Sequence, residues 1–239
     1  MLEQQRDDYY VASQRSLGCG FWLLWTFMTT VGGFVGQLIA QTGIHAFLPE
    51  DASIPTVMLA LVPFGLVAGA VIGLAQGVLI FRYLKPAGLR DWVLASALGG
   101  VLRWALLGPS AVFLLLIVDI GIAQCNALIP LMLFGALSGA AFGIPQSFVL
   151  SRHLNETTEL SWWSWTLAYA AGGLFYLPFV TLSGLTASAL AAAAGTVGDE
   201  FAWRALIVVT LNWLITGLIT ALPIQDRLRH VNRPTYVEF

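Results

Sequence analysis

Phe64-Gly65-x3-Gly69-Ala70-x2-Gly73-x2-Gln76-x5-Arg82-x-Leu84 recurs seventy residues later as Phe134-Gly135-x3-Gly139-Ala140-x2-Gly143-x2-Gln146-x5-Arg152-x-Leu154. A second block follows each copy. Trp92-x-Leu94-Ala95-x-Ala97-x-Gly99-Gly100 is matched by Trp165-x-Leu167-Ala168-x-Ala170-x-Gly172-Gly173. So many matches at a nearly fixed offset are not the product of apolar composition alone, and a repeat of this kind decides the fold before any other signal. Trp25 with Gly32-Gly33 supplies a third copy of the Trp block, and Gly217-x3-Ala221-x3-Gln225 a degraded third copy of the Gly/Gln block. The pattern predicts three tandem hairpins, about 20–84, 91–154 and 162–228, each a Trp helix followed by a Gly helix.

Apolar residues form 58% of the 239 and charged ones 10%, against roughly 25% charged in soluble domains. A helical span needs about 20 apolar residues. Six stretches qualify, roughly 21–43, 56–82, 92–117, 126–150, 162–185 and 203–223. The expected fold is all-α: a polytopic membrane bundle of six spans within one domain, 1–239, with short polar tails. Because each unit has an even number of spans, the units are related about the membrane normal. Short loops are expected near 85–91 and 155–161, longer ones near 44–55, 118–125 and 186–202, with a surface helix around 188–195.

Met1 to Ser16 carries Glu3, Asp7 and Asp8 and lacks the pattern of a secretory signal. With the N-terminus inside, nine basic residues (Arg6, Arg15, Arg82, Lys85, Arg90, Arg152, Arg227, Arg229, Arg233) lie on the cytoplasmic side, against Arg204 alone outside. Both termini are therefore expected to be cytoplasmic. Cys19 and Cys125 then fall at opposite faces, beyond disulfide reach. The net charge of −2 and the lack of Lys/Arg clusters exclude a nucleic-acid partner.

Gly65, Gly69 and Gly73, like Gly135, Gly139 and Gly143, fall every fourth residue and share one helix face. The ridge is expected to pack against the pairs Gly32-Gly33, Gly99-Gly100 and Gly172-Gly173 of the Trp helices, since small residues let helix backbones approach in lipid. The competing reading is a groove for a flat pigment or a lipid; no cofactor is otherwise expected. Gln76 and Gln146 are expected to cap backbone or to bond each other, with Gln146 placed to compensate the Ala141 carbonyl freed by Pro145. Trp25, Trp92 and Trp165, with Trp22, Trp162 and Trp163, read as an interfacial aromatic belt.

Arg103 breaks the pattern, standing where the other copies have Gly36 and Tyr176. Eleven residues past Trp92 places it ~17 Å into the membrane. One reading is a buried functional cation. The reading adopted is a helix break at Gly108-Pro109, from which Arg103 snorkels to headgroups.

His45, His153 and His230 sit at span ends, and no Walker loop, HExxH, Cys cluster or Gly-x-Ser-x-Gly occurs. The expectation is a protein that is not an enzyme and holds no metal.

Over 64–175 these Gly/Gln and Trp blocks resemble repeats in multi-pass membrane proteins of bacteria, cyanobacteria among them. The resemblance implies a bacterial inner membrane or a thylakoid address and supplies no site. The leading expectation is an accessory, assembly or scaffold subunit of a larger membrane complex, with lipids and other membrane subunits as partners. The alternative is a small-solute or ion transporter, with Arg103, Gln37, Gln76, Gln146 and Tyr176 around an axial cavity. That layout is similar to mitochondrial carriers, without their Pro-x-Asp/Glu-x2-Lys/Arg signature.

Overall fold

The computed structural model describes residues 19–47, 54–80, 86–119, 128–154, 162–175 and 199–231. They form six α-helices: α1 (Cys19–Phe47), α2 (Ile54–Ile80), α3 (Pro86–Asp119), α4 (Leu128–Leu154), α5 (Trp162–Gly173) and α6 (Asp199–Val231). No strand occurs among the described residues. Four segments within them are long and apolar enough to cross a membrane: Cys19–Ala40, Val62–Ile80, Ile129–Arg152 and Ile207–Gln225.

The boundaries extend the apolar stretches. Proline at the first helical position costs no hydrogen bond and presets φ, so α3 starts at Pro86 and turns the expected 85–91 loop mostly into helix. Likewise α1 runs to Phe47 and α2 starts at Ile54, which shortens the loop expected at 44–55. The loop around 155–161 and the surface helix around 188–195 lie outside the described residues.

Each helix packs on its neighbours in the chain, and α6 returns to α1, so the six close into a ring. Which face turns inward is set by side-chain size and polarity. On α3, Leu94, Leu98, Leu102 and Leu106 recur every fourth residue and are exposed, while Trp92, Ser96, Gly99 and Arg103 are buried on the opposite face. The same division holds on α4, where Leu133 and Leu137 face out and Ser138, Phe142 and Gln146 face in. The exposed surface is apolar and the axis is partly polar, the reverse of a soluble bundle.

The Gly-Gly pairs fit this ring for a geometric reason. Consecutive helical residues point about 100° apart, so a pair can meet both neighbours of its helix at one level. Gly99 lies against Phe142 of α4, where a Cβ would come 2.6 Å from the Phe142 carbonyl oxygen. Its partner Gly100 turns the other way, against Gly65 and Gly69 of α2. Gly172 faces Thr216 of α6 while Gly173 faces Gly135 and Gly139 of α4. Gly32 faces Ile72 and Ala75 of α2, and Gly33 faces the ring of Trp213 on α6. The Gly ridges of α2 and α4 thus pack against the backbone and side chains of α3 and α5.

Candidate functional site

Side chains from alternate helices meet in layers on the ring axis. Trp25 of α1, Trp92 of α3 and Trp165 of α5 are each fully buried and touch one another, with ring centroids 5.9, 5.9 and 6.4 Å apart. This corrects the belt reading for these three. An interfacial Trp keeps one edge in water, whereas here the large ring fills the space where three inward faces converge. Trp163 is 53% exposed, as a belt residue would be. The side chain of Trp162 lies outside the described set.

One turn further along come Thr29, Ser96 and Tyr169, each four residues after its tryptophan and so on the same face. With Gln76 and Gln146 they form a buried polar layer. Gln76 Nε2 donates to Thr29 Oγ1 at 3.1 Å and to the Tyr169 hydroxyl at 2.9 Å, and Gln76 Oε1 accepts from Gln146 Nε2 at 3.1 Å. Gln146 Nε2 also donates to Ser96 Oγ at 2.7 Å, and Gln146 Oε1 accepts from Trp165 Nε1 at 3.2 Å. Both amides thus use both donor hydrogens and an acceptor oxygen. The Gln76–Tyr169 bond joins α2 to α5, on opposite sides of the ring. Gln146 does not serve its own helix at Pro145: both its N–H groups go to other helices, where buried acceptors have no water to turn to.

The layer is not symmetric. In α6 the position facing Trp25 is Thr220, whose Oγ1 accepts from Trp25 Nε1 at 3.1 Å and itself donates to the Thr216 carbonyl at 2.8 Å. Trp92 has no such neighbour, because Gln76 reaches across the axis instead. Trp92 Nε1 and Thr216 Oγ1 are buried with no hydrogen-bond partner among the described residues.

Arg103 lies in the interior and is only 4% exposed. This overturns the snorkel reading. Helix α3 runs unbroken through Gly108-Pro109 to Asp119, and eleven residues past Trp92 is three helical turns, which returns Arg103 to the inward face. Its guanidinium sits 4.5 Å from the Trp213 ring centroid, within cation–π range. In the amide orientation that satisfies both its neighbours, Asn212 accepts from Arg103 Nη2 at 3.2 Å and donates to the Gly172 carbonyl at 3.2 Å. Arg103 thereby ties α3 to α6, three places round the ring.

A cavity of about 10 Å³ opens at this level, lined by Arg103, Gln37, Trp104, Phe142, Trp213 and the small residues Gly33, Ala68, Gly69 and Gly100. That is room for one water-sized occupant. The structure therefore brings Arg103 and Gln37 to one cavity and Gln76 and Gln146 to a separate, filled layer. Tyr176 lies outside the described residues. No group of three or more His, Cys, Asp or Glu stands together among the described residues.

Sequence reasoning missed Tyr169, Thr29, Ser96, Asn212 and Trp213. The first three carry a usable signal, a polar side chain one turn after each of Trp25, Trp92 and Trp165, hidden because its type differs each time. Asn212, a buried amide inside an apolar span, carries the same signal as the two glutamines.

The class so defined is an all-helical bundle with apolar outer faces and a hydrogen-bonded axis. Comparison with protein-family models, with curated proteins and with solved structures gives no match to this chain.

Proposed function

We propose that this chain is an integral membrane protein of six spans, a two-helix hairpin present three times about an axis along the membrane normal. We further propose that it serves as a non-enzymatic scaffold or accessory subunit of a larger membrane complex. The observation that carries this reading is the filled axis. A tryptophan triangle covers an amide layer in which Gln76 and Gln146 bond each other and three other helices, and the cavity beyond holds one water-sized occupant. Such an interior is rigid and closed, while the exposed leucines and phenylalanines are free to meet lipid or other subunits. The test is affinity purification of the tagged protein from its native membrane in mild detergent. Recovery with a stoichiometric membrane partner is the expected result; recovery of the free chain alone counts against the scaffold.

A second reading rests on a separate observation, the buried cation and amide at one axial cavity. On it the chain is a small-solute or ion transporter, and the closed axis is one state of its cycle. Reconstituted liposomes decide: flux that disappears in Arg103→Ala supports transport, and background flux for both proteins removes it.

A further inference from the structure

The outward faces of α3 and α4 each run as an apolar ridge that ends in an arginine. On α3, Arg90, Leu94, Leu98, Leu102 and Leu106 follow at steps of four and are all exposed. On α4 the exposed residues are Ile129, Leu133, Leu137, Phe148 and Arg152. We infer that Arg90 and Arg152 form a headgroup site for an anionic phospholipid whose acyl chains lie along the two ridges. The inference rests on the membrane reading above and stands apart from both the scaffold and the transport readings.

Register carries the inference. The helices α3 and α4 are packed neighbours and run antiparallel: Gly99 lies against Phe142, and Ser96 accepts from Gln146. From that hydrogen bond, Leu94 and Phe148 are both two residues towards one end of the bundle, and Arg90 and Arg152 are both six. Six helical residues rise about 9 Å, so the two arginines stand at one level, on axes about 8–10 Å apart. That level is where headgroups belong. Trp163, which precedes Trp165 by two residues as Arg90 precedes Trp92, is 53% exposed, and exposed indole rings seat at the membrane–water boundary. From Arg90 to Leu102 the ridge runs about 18 Å, enough for an acyl chain in one leaflet of a ~30 Å core. Charge then selects the headgroup, since guanidinium groups bind phosphate through paired N–H donors. Arg90 is 76% exposed, and its ion pair with Asp91 Oδ1 is long at 3.5 Å, the kind of surface pair that contributes little. Asp91 offsets one of the two cations and leaves the place net positive, which favours an anionic lipid over a zwitterionic one. Leu23 of α1 and Trp163 of α5 stand two residues before Trp25 and Trp165, where α3 has Arg90. Among the described residues the paired cations are therefore confined to α3 and α4.

The experiment is thermal unfolding of the full chain in a mild detergent, titrated with phosphatidylglycerol, with phosphatidylcholine or with inorganic phosphate. A ligand that binds only the folded state raises the melting temperature as its site fills. The wild type is expected to show a saturable rise with phosphatidylglycerol, well above that with phosphatidylcholine, and none with inorganic phosphate. Both arginines are exposed, so Arg90→Gln and Arg152→Gln should melt as the wild type does in detergent alone. Each should lose most of the phosphatidylglycerol increment. Arg227→Gln removes a basic residue from α6, on neither ridge, and should keep it. Equal rises with the two lipids overturn the site, and so does an increment retained in both Arg90→Gln and Arg152→Gln. An increment lost equally in Arg227→Gln overturns it in favour of general attraction to basic residues. A rise with inorganic phosphate alone overturns the lipid as the occupant. So does a co-purifying subunit that is lost in Arg90→Gln and Arg152→Gln while phosphatidylglycerol has no effect, which would give the face to a protein. A chain that stays folded and soluble without detergent would instead sink the membrane reading itself, an outcome distinct from equal rises with the two lipids.

Discussion

Trp92 and Trp165 occupy matching places in the axial triangle, yet only one has a hydrogen-bond partner among the described residues. Trp165 Nε1 donates to Gln146, whereas Trp92 Nε1 is buried without an acceptor. Replacing each with Phe removes a similar volume, so the cavity cost is comparable and the difference isolates the hydrogen bond. Trp165→Phe, which also strands Gln146 Oε1, is expected to be more destabilising than Trp92→Phe by about 1 kcal/mol, read from unfolding in increasing SDS. Equal losses would show that the Gln146 bond contributes nothing. The same assay applies to Gln76→Leu and Gln146→Leu, each of which abandons buried partners on other helices. Each is expected to cost about 1–3 kcal/mol. Because the two amides bond each other, the double variant should cost less than the sum, with a coupling of roughly 0.5–2 kcal/mol. Strict additivity would remove the amide layer as a unit. The participation of both glutamines was legible in the sequence, because an amide in an apolar span must find partners. Their choice of partners was not, since Tyr169, Thr29 and Ser96 share a position and no side-chain type.

Helix by helix, the ring is held where backbones come together at small residues, and the effect of enlarging a glycine should follow what its Cβ would meet. A Cβ on Gly100 would strike the Gly65 carbonyl and the Gly69 backbone, neither of which can move without separating α2 from α3. At Gly77 the obstacle is the end of the Leu89 side chain, at 2.7 Å. At Gly20 nothing lies within 4 Å. Gly100→Val is therefore expected to lose about 3 kcal/mol or more, or to prevent folding. Gly77→Ala should cost about 1 kcal/mol or less once Leu89 turns aside, and Gly20→Ala should be neutral or stabilising through helix propensity. A different order in SDS unfolding or in yield of folded protein would contradict the packing. The spacing of the glycines told where helices touch; it did not tell which way the tryptophans face. In a chain with apolar outer faces the usual hydrophobic stripe carries no direction, because lipid and interior are both apolar. The direction lay in the minority residues. Trp92, Ser96, Gly99 and Arg103 fall at steps of four, three and four, all on one face, and that shared face places both Trp92 and Arg103 inside.

At the scale of the whole molecule, the return of α6 to α1 distinguishes a closed ring from an open row of hairpins. Contact between chain neighbours alone would leave the row open, and α6 has a single glycine, Gly217, where α2 and α4 each have several. The structure closes the seam with other residues: Trp25 donates to Thr220, Gly217 lies against Thr26 and Thr29, and Trp213 covers Gly33. A Cβ on Gly217 would sit 3.3 Å from the Thr29 Cβ, just short of the roughly 3.5–4.5 Å that a disulfide spans. In a background with Cys19 and Cys125 replaced by serine, Thr29→Cys with Gly217→Cys is expected to oxidise within one chain and to migrate faster on non-reducing gels. Thr29→Cys with Leu137→Cys should not, since Leu137 is exposed on the outer face of α4, a helix that does not adjoin α1 in the ring. Ready cross-linking of the second pair, or none of the first, would mean that the ring is open. An open ring would also expose Arg103 and its cavity from the α6 side. Closure at 29 and 217 is thus the condition under which the axis stays packed and sealed on every side.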